Sequence, residues 1–554
     1  MIYSSKLLSQ SIMQICLAKG IDQIVISPGS RNAPLTIGFT ENREFNNFSI
    51  VDERSAAFFA LGIAQQSKRP VVLICTSGSA LLNYYPAIAE AFYSDLPLVV
   101  ISADRPKELI NIGDGQTIQQ ENIFENHILY NANCNGGEDN LTFDESEINK
   151  ALNVAIEQQG PVHINIPFSE PLYNTVEHLQ VQPSIIPINT HNESCSEDLQ
   201  PFADLWNSAK KKVVLIGVLA PNSIEQQFID QLSEDKSVVI FTETTSNVHH
   251  KNIISSIDQL IAPLGEKGFK ALQPEILITF GGMIVSKKIK AFLRTYLPKQ
   301  HWHVDSKKAY DTYFCLKHHF KTSPNEFLKE FLPITKKIEC TFQKELLAIK
   351  RHRLGRHDLY EKSIPFSDFK VFSEVFKTLP NAIQLQLSNS ATIRYAQLFN
   401  FNESIDVFCN RGTSGIDGCT STAIGAAYTS DKPTVFITGD LSFLYDSNAL
   451  WNNYIPNSFK IILINNGGGG IFRILPGDKN SENFKTYLET KHQFTAEHLC
   501  KMYGLDYTSV NNETQLKNSL TSFFKNSNSP QLLEIFTPSE INDRVLIDYF
   551  KFIK

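Results

Sequence analysis

Two stretches in the last third of this 554-residue chain place oxygen donors where a parallel sheet would present them to a ligand. The apolar run Thr434–Thr438 leads into Gly439-Asp440-Leu441, and the run Ile461–Ile464 ends in Asn465-Asn466-Gly467-Gly468. If these runs are neighbouring strands, Asp440 and Asn466 stand together at their C-terminal ends, where open α/β sheets bind ligands. A carboxylate, an amide oxygen and the Gly468 carbonyl suit Mg²⁺, which takes oxygen ligands octahedrally at about 2.0–2.1 Å and shares phosphate oxygens. Glycines over 467–470 let the backbone approach a diphosphate closely. Read alone, an Asp at a strand end is as good a helix cap as a metal ligand. Four arginines, Arg31, Arg105, Arg394 and Arg411, also follow strand-like ends. Guanidinium groups stay charged and grip carboxylates bidentately, so the set points to a small acidic substrate. Glu53 opens an Ala-rich run after the strand-like Phe48–Val51; in isolation it is a favourable charge in a first helical turn.

The elements that would position these residues are those of an α/β protein. Val71–Ile74, Leu98–Ile101 and Val162–Ile166, with the shorter Ile24–Ile26, are continuous apolar runs, as strands of a parallel sheet buried on both faces should be. Segments of helical spacing, such as Ser55–Gln66, separate them. A polar stretch from about 175 to 200, with Pro183, Pro187, Asn189, Asn192 and Ser194, reads as a linker. A second strand set follows at Val213–Ile216, Val238–Phe241, Ile276–Thr279 and His303–Asp305, then a Lys/Arg-rich connecting helix over roughly 335–365. The last third repeats the first, with strands at Ile383–Leu387, Val407–Phe408, Thr434–Thr438, Lys460–Ile464 and Gln531–Phe536. The expectation is three doubly wound α/β domains, at 1–180, 195–335 and 360–554.

Composition agrees with a globular protein. The net charge of −7 gives no surface for nucleic acid or membrane in general, and there is no secretory signal or apolar run long enough to span a bilayer. Nine cysteines without a C-x-x-C pair, among them Cys75 and Cys419 in apolar or Gly-rich surroundings, fit buried thiols in a reducing cytoplasm.

The Gly439-Asp440 and Asn465-Asn466 pair resembles the thiamine-diphosphate signature, in which G-D-G precedes N-N at this distance; Leu441 departs from the usual third glycine. The run Glu53-Arg54 to Gly62 resembles the helix of that superfamily's pyrimidine-binding domain. The resemblance implies that Glu53 hydrogen-bonds N1′ of the aminopyrimidine, so that an imino tautomer deprotonates thiazolium C2. It also implies a bulky apolar side chain beneath the thiazolium, for which Gly412-Thr413-Ser414-Gly415-Ile416-Asp417-Gly418 offers Ile416. Because the Glu53 and Asp440 motifs lie on different domains, the site is expected between two subunits, in a homodimer at least, with a tetramer open.

Within that superfamily, Ser27-Pro28-Gly29-Ser30-Arg31, Ala103-Asp104-Arg105-Pro106 and Asn410-Arg411-Gly412-Thr413-Ser414-Gly415-Ile416-Asp417-Gly418 together resemble one family, the 2-succinyl-5-enolpyruvyl-6-hydroxy-3-cyclohexene-1-carboxylate synthases of menaquinone biosynthesis. The resemblance implies a transferase that decarboxylates 2-oxoglutarate and adds the four-carbon remainder in a 1,4-manner to isochorismate. The cofactors implied are thiamine diphosphate and Mg²⁺, with Mn²⁺ the alternative metal. Gly439, Asp440, Leu441, Asn466 and Gly468 would hold the cofactor, and Asp440, Asn466 and Gly468 the metal. Ser30, Arg31, Arg105 and Gln116 would contact acceptor or intermediate, with Ser390, Arg394 and Arg411 also lining the site. Lys287 belongs to a basic pair in which Lys288 departs from the family's usual Arg. His249-His250 and His318-His319 fall outside the motif blocks and read as surface or linker residues. Two rivals stay open: another thiamine-dependent 2-oxo acid decarboxylase or carboligase, with a mostly apolar pocket, and a nucleotide-binding regulatory protein on the same scaffold.

Overall fold

The computed structural model describes residues 2–189, 197–474 and 477–554. Asn192 and Ser194 of the linker reading lie outside the described residues.

Three parallel sheets carry the chain. The first has six strands in the order Asn46–Ser49, Gln23–Ile26, Val71–Cys75, Leu98–Asp104, Val162–Pro167, Tyr130–Asn133. The last sheet repeats this order with Asp406–Cys409, Gln384–Leu387, Thr434–Gly439, Lys460–Asn465, Gln531–Phe536 and Asp506–Val510. Both run second, first, third, fourth, sixth, fifth in chain order, so the expected likeness of the outer domains holds down to topology. The middle sheet has five strands: Val238–Thr242, Lys212–Ile216, Ile276–Phe280, Gln300–Val304 and His318–Phe320.

In all three sheets the first and third strands are neighbours, and the chain leaves them in opposite directions. That is the switch point at which doubly wound sheets open a crevice. In the first sheet it is edged by Ser27–Arg31 and Thr76–Ser79, and in the last by Ser388–Ser390 and Gly439-Asp440. The expected strands are present because their side chains are buried on both faces; all five residues of Val71–Cys75 are buried.

The differences fall at sheet edges. Tyr130–Asn133, His318–Phe320 and Asp506–Val510 were not expected, and they are edge strands with few buried residues. His318 and His319 therefore sit on a strand rather than in a linker. The strand before Glu53 stops at Ser49 rather than Val51, and the middle-domain strand ends at Val304 without Asp305. The basic connecting helix spans Phe342–Ser363.

The outer domains are joined helix to helix. Glu53–Ser67 lies against Cys419–Thr429, and their residues share one buried apolar cluster. Gly62 and Gly425 allow the approach: a Cβ on Gly62 would stand 2.1 Å from the Thr422 carbonyl oxygen, and one on Gly425 would stand 2.0 Å from that of Phe59. Only glycine fits at either position.

Candidate active site

Asp440 is the first residue of a short helix, Asp440–Tyr445, directly after its strand. The carboxylate is buried and already oriented: Oδ1 accepts from the Leu441 N–H at 2.7 Å and Oδ2 from the Gly468 N–H at 2.9 Å. The two oxygen-donor motifs thus meet, as expected. Gly468 has φ 146°, and a Cβ there would lie 2.6 Å from the Glu489 carbonyl oxygen, so this turn requires glycine. In front of Gly439 a Cβ would meet nothing within 4 Å, leaving room for a ligand.

Asn466 supplies the test of metal fit. Its Nδ2 donates to Asp368 Oδ2 at 2.9 Å, while its buried Oδ1 has no hydrogen-bond partner among the described residues. A buried amide oxygen without a partner costs about 1–3 kcal/mol, so such groups call for an explanation. With the Asp440 carboxylate beside it the donor set is all oxygen, as a hard divalent cation prefers. Two neighbours escaped the sequence reading. Asp368 is fully buried, and burial lifts its carboxyl to about 6 against the pull of hydrogen bonds from Thr537 and Asn466. His492 Nε2 stands 3.2 Å from Asp440 Oδ2, so a histidine outside the two pairs named from the sequence lies beside this carboxylate. Neither residue lies in a recognisable motif.

The expected anion-binding residues of the last domain form one cluster around Asn389, also missed. Asn389 Nδ2 donates to the carbonyls of Asn410 and Gly415, each at 2.7 Å, and its Oδ1 accepts from Arg411 Nη1 at 2.7 Å. Arg394 Nη1 bonds the Ser390 carbonyl at 2.6 Å, and Ser390 has φ 67°. Burial, then the neighbouring Arg411 charge, pulls the Arg394 guanidinium below its usual range. Ile416 is half-buried, and its carbonyl accepts from Ser442 Oγ at 2.7 Å, which ties its loop to the helix begun by Asp440. Glu90, from the first domain, clamps the same loop by accepting the Gly412 and Thr413 N–H groups, both at 2.6 Å.

The middle domain reaches this cluster through a carboxylate-held turn. Glu243 accepts from the Val285 and Ser286 N–H groups at 2.6 and 2.7 Å. That fixes the start of the helix Lys287–Thr295, where Lys287 is exposed. Lys288 turns aside, its Nζ 4.1 Å from the Phe550 ring centroid.

In the first domain, Ser30 and Gln116 are exposed at the sheet's C-terminal edge. Arg31 is buried, its Nη1 donating to the Phe168 carbonyl at 2.8 Å and its Nη2 3.1 Å from Glu170. Arg105 bonds the Gly115 carbonyl at 2.9 Å and pairs with Asp114 at 3.1 Å. Both guanidinium groups thus brace loops of their own domain. Glu53 is half-buried as the first residue of its helix, whose cap is Asp52, accepting from the Ser55 N–H at 3.1 Å. Burial raises its carboxyl above the usual range, an Asp52 charge adds to the rise, and a hydrogen bond from Asn83 opposes it.

Among the described residues no hydrogen bond or ion pair joins Glu53 to Asp440, Asn466 or Gly468. Its neighbours contact the same chain further on: Arg54 Nη2 donates to the Tyr445 carbonyl at 2.8 Å, and Asn448 Nδ2 to Asp52 at 2.7 Å. Val51, Leu82 and Tyr445 are exposed. A cavity of about 510 Å³ lies beside these clusters at the junction of the three domains; of the expected residues it touches only Arg411, so the oxygen-donor motif rather than cavity size identifies the site.

Comparison with known proteins also finds three successive matches along the chain. Residues 7–128 match the family described as thiamine pyrophosphate enzyme, N-terminal TPP binding domain; this is thiamine diphosphate under its other name. Residues 188–387 match the middle domain of thiamine pyrophosphate enzymes, and 390–535 the C-terminal TPP binding domain. The chain is 58% identical over 553 residues to a 2-succinyl-5-enolpyruvyl-6-hydroxy-3-cyclohexene-1-carboxylate synthase of Flavobacterium psychrophilum, across the full length of both. It is 56% identical to the synthase of Flavobacterium johnsoniae and 54% identical to that of Christiangramia forsetii, again end to end.

Proposed function

This chain belongs to the 2-succinyl-5-enolpyruvyl-6-hydroxy-3-cyclohexene-1-carboxylate synthase family of thiamine-diphosphate enzymes, and from that membership we propose how its residues divide the work. The reaction joins the four-carbon remainder of 2-oxoglutarate to isochorismate by 1,4-addition and releases CO₂. Thiamine diphosphate, when bound, supplies the nucleophilic carbon and the electron sink for decarboxylation. Asp440, Asn466 and the Gly468 carbonyl would hold Mg²⁺ or Mn²⁺, which would neutralise diphosphate charge. Gly439 and Leu441 would flank the diphosphate end, and Ile416 would give the thiazolium an apolar support. Glu53 holds a proton at the pyrimidine edge, and its raised carboxyl suits a group that must exchange one.

The acidic substrates meet fixed positive charge. Arg394 and Arg411 stand together on the last domain, held by Ser390 and Asn389, and Lys287 projects from the middle domain. Ser30, Arg31, Arg105 and Gln116 form the opposing wall on the first domain. Pre-oriented guanidinium groups bind carboxylates without reorganisation at the moment of reaction.

Two copies complete the site. Among the described residues Glu53 makes no bond to the metal motif of its own chain, and Val51, two residues before it, is an exposed apolar side chain, as on a surface awaiting a second subunit. Among the described residues no helix is long and apolar enough to cross a membrane, and Cys16, Cys75, Cys134, Cys409, Cys419 and Cys500 are buried free thiols. We place the enzyme in the cytoplasm on those grounds.

The meeting of Asp440 with Gly468, beside a partnerless Asn466 oxygen, carries this reading. Mass spectrometry of the product from 2-oxoglutarate and isochorismate tests it; pyruvate used equally well would favour another carboligase. Glu53→Gln is expected to keep cofactor affinity while turnover drops about 10²–10⁴-fold, the usual contribution of a positioned acid–base group. Full turnover by that variant would contradict the assignment.

A further inference from the structure

Asn466 can offer its oxygen to a metal only if its amide is held the right way round, and an isolated primary amide has no preference between its two faces. Ionised Asp368 is an acceptor without a donor. Facing it, Asn466 must present Nδ2, and the 2.9 Å bond therefore turns Oδ1 to the opposite side, where it is buried without a partner. Asp368 is itself fixed on three sides. Ser367 caps its helix, Asp368–Thr378; Thr537 Oγ1 donates to Asp368 Oδ1 at 2.5 Å; and the Asp368 N–H donates to Asn542 Oδ1 at 2.9 Å. The helix, the end of the strand Gln531–Phe536 and the start of the helix Asn542–Phe552 thus converge on one residue.

We propose that Asp368 is a positioning residue for the metal site, fixing the Asn466 amide so that its oxygen faces the cation. The inference rests on the metal reading given above. It adds a residue that lies outside both donor motifs and acts only through Asn466. Partners of this kind orient ligands and are worth about 10–100-fold in metal affinity.

The test is calorimetric titration of the full-length apo-enzyme with Mg²⁺ in the presence of thiamine diphosphate, with folding checked by near-ultraviolet circular dichroism. Asp368→Leu removes the acceptor and is expected to weaken Mg²⁺ by about 10–100-fold. Asn466→Asp alone sets two carboxylates against each other and should weaken it too. The exchange variant, Asp368→Asn with Asn466→Asp, restores a donor facing an acceptor with the polarity reversed, and should recover much of the lost affinity. A merely structural role would not produce that recovery. A folded Asp368→Leu enzyme that binds Mg²⁺ like the parent would overturn the proposal. So would a folded exchange variant that binds no better than Asn466→Asp, and that comparison decides the matter if Asp368→Leu does not fold. Asp440→Ala serves as the control: if it leaves Mg²⁺ binding intact, the metal reading itself fails rather than the role of Asp368.

Discussion

Single polar groups decide what this site can do, and several are held in only one way. Asn389 joins Arg411 to the loop carrying Ile416, so one amide positions both residues. Arg394 is anchored through one nitrogen to Ser390, which in the function proposed leaves the rest of its fork for a carboxylate. Arg394→Ala should lower kcat/KM for 2-oxoglutarate by about 10–100-fold, the equivalent of one hydrogen bond to a charged group. Cofactor affinity measured by calorimetry should not change, and the reverse pattern would remove Arg394 from substrate binding. Much of this scale was legible in the chain. Asp440 and Asn466 sit in short motifs at strand ends, where spacing alone predicts their meeting. Asp368, Asn389, Glu90 and His492 were not legible, because each is an ordinary polar residue whose partner lies far away in sequence. Arg31 and Arg105 are candidates by motif, but their present bonds run to loops of their own domain, which no spacing reveals.

Among the elements, the best-read are those buried on both faces, since continuous apolar runs such as Val71–Cys75 have no other place in a soluble fold. The edge strand Asp506–Val510 escaped notice because most of its residues are exposed and its pattern is polar. A turn is a different case: what fixes Gly281–Ser286 before the helix Lys287–Thr295 is a carboxylate from another strand end. Burial lifts the Glu243 carboxyl to about 7, against the pull of the Val285 and Ser286 N–H groups and the Arg411 charge, with Asp258 adding to the rise. The folded protein therefore binds this proton more tightly than the unfolded chain does. Its stabilising contribution is full below an ordinary carboxyl value of about 4.5 and is lost as pH rises through about 7. Glu243→Gln cannot titrate. The melting temperature of the variant minus that of the parent should accordingly climb between about pH 5 and about pH 8. A difference flat across that range would show that Glu243 does not carry this linkage.

At the level of the whole molecule, the two outer domains share a topology and each offers half of a site. If the halves come from different chains, two inactive variants should rescue each other. Mixed and allowed to exchange subunits, Glu53→Gln and Asp440→Ala should form mixed dimers in which one of the two sites has both defects and the other has neither. Random exchange in a two-fold dimer then predicts about a quarter of the parental activity. No recovery, with exchange verified by native mass spectrometry, would mean that each site is built within one chain. Sequence pattern gave the three-layered α/β units and their likeness, but the contact between the outer domains could not be read from it. Gly62 and Gly425 look like ordinary helix-weakening residues until the opposing carbonyl oxygens are seen.

That glycine crossing also restricts how the enzyme can breathe. Where two helices touch main chain to main chain, there is no cushion of side chains on which one could glide over the other, and a shift of even one ångström would drive carbonyl oxygens into Cα atoms. The outer domains of a chain must then travel as one block. Any motion that opens the crevice must then come from segments outside that helix pair.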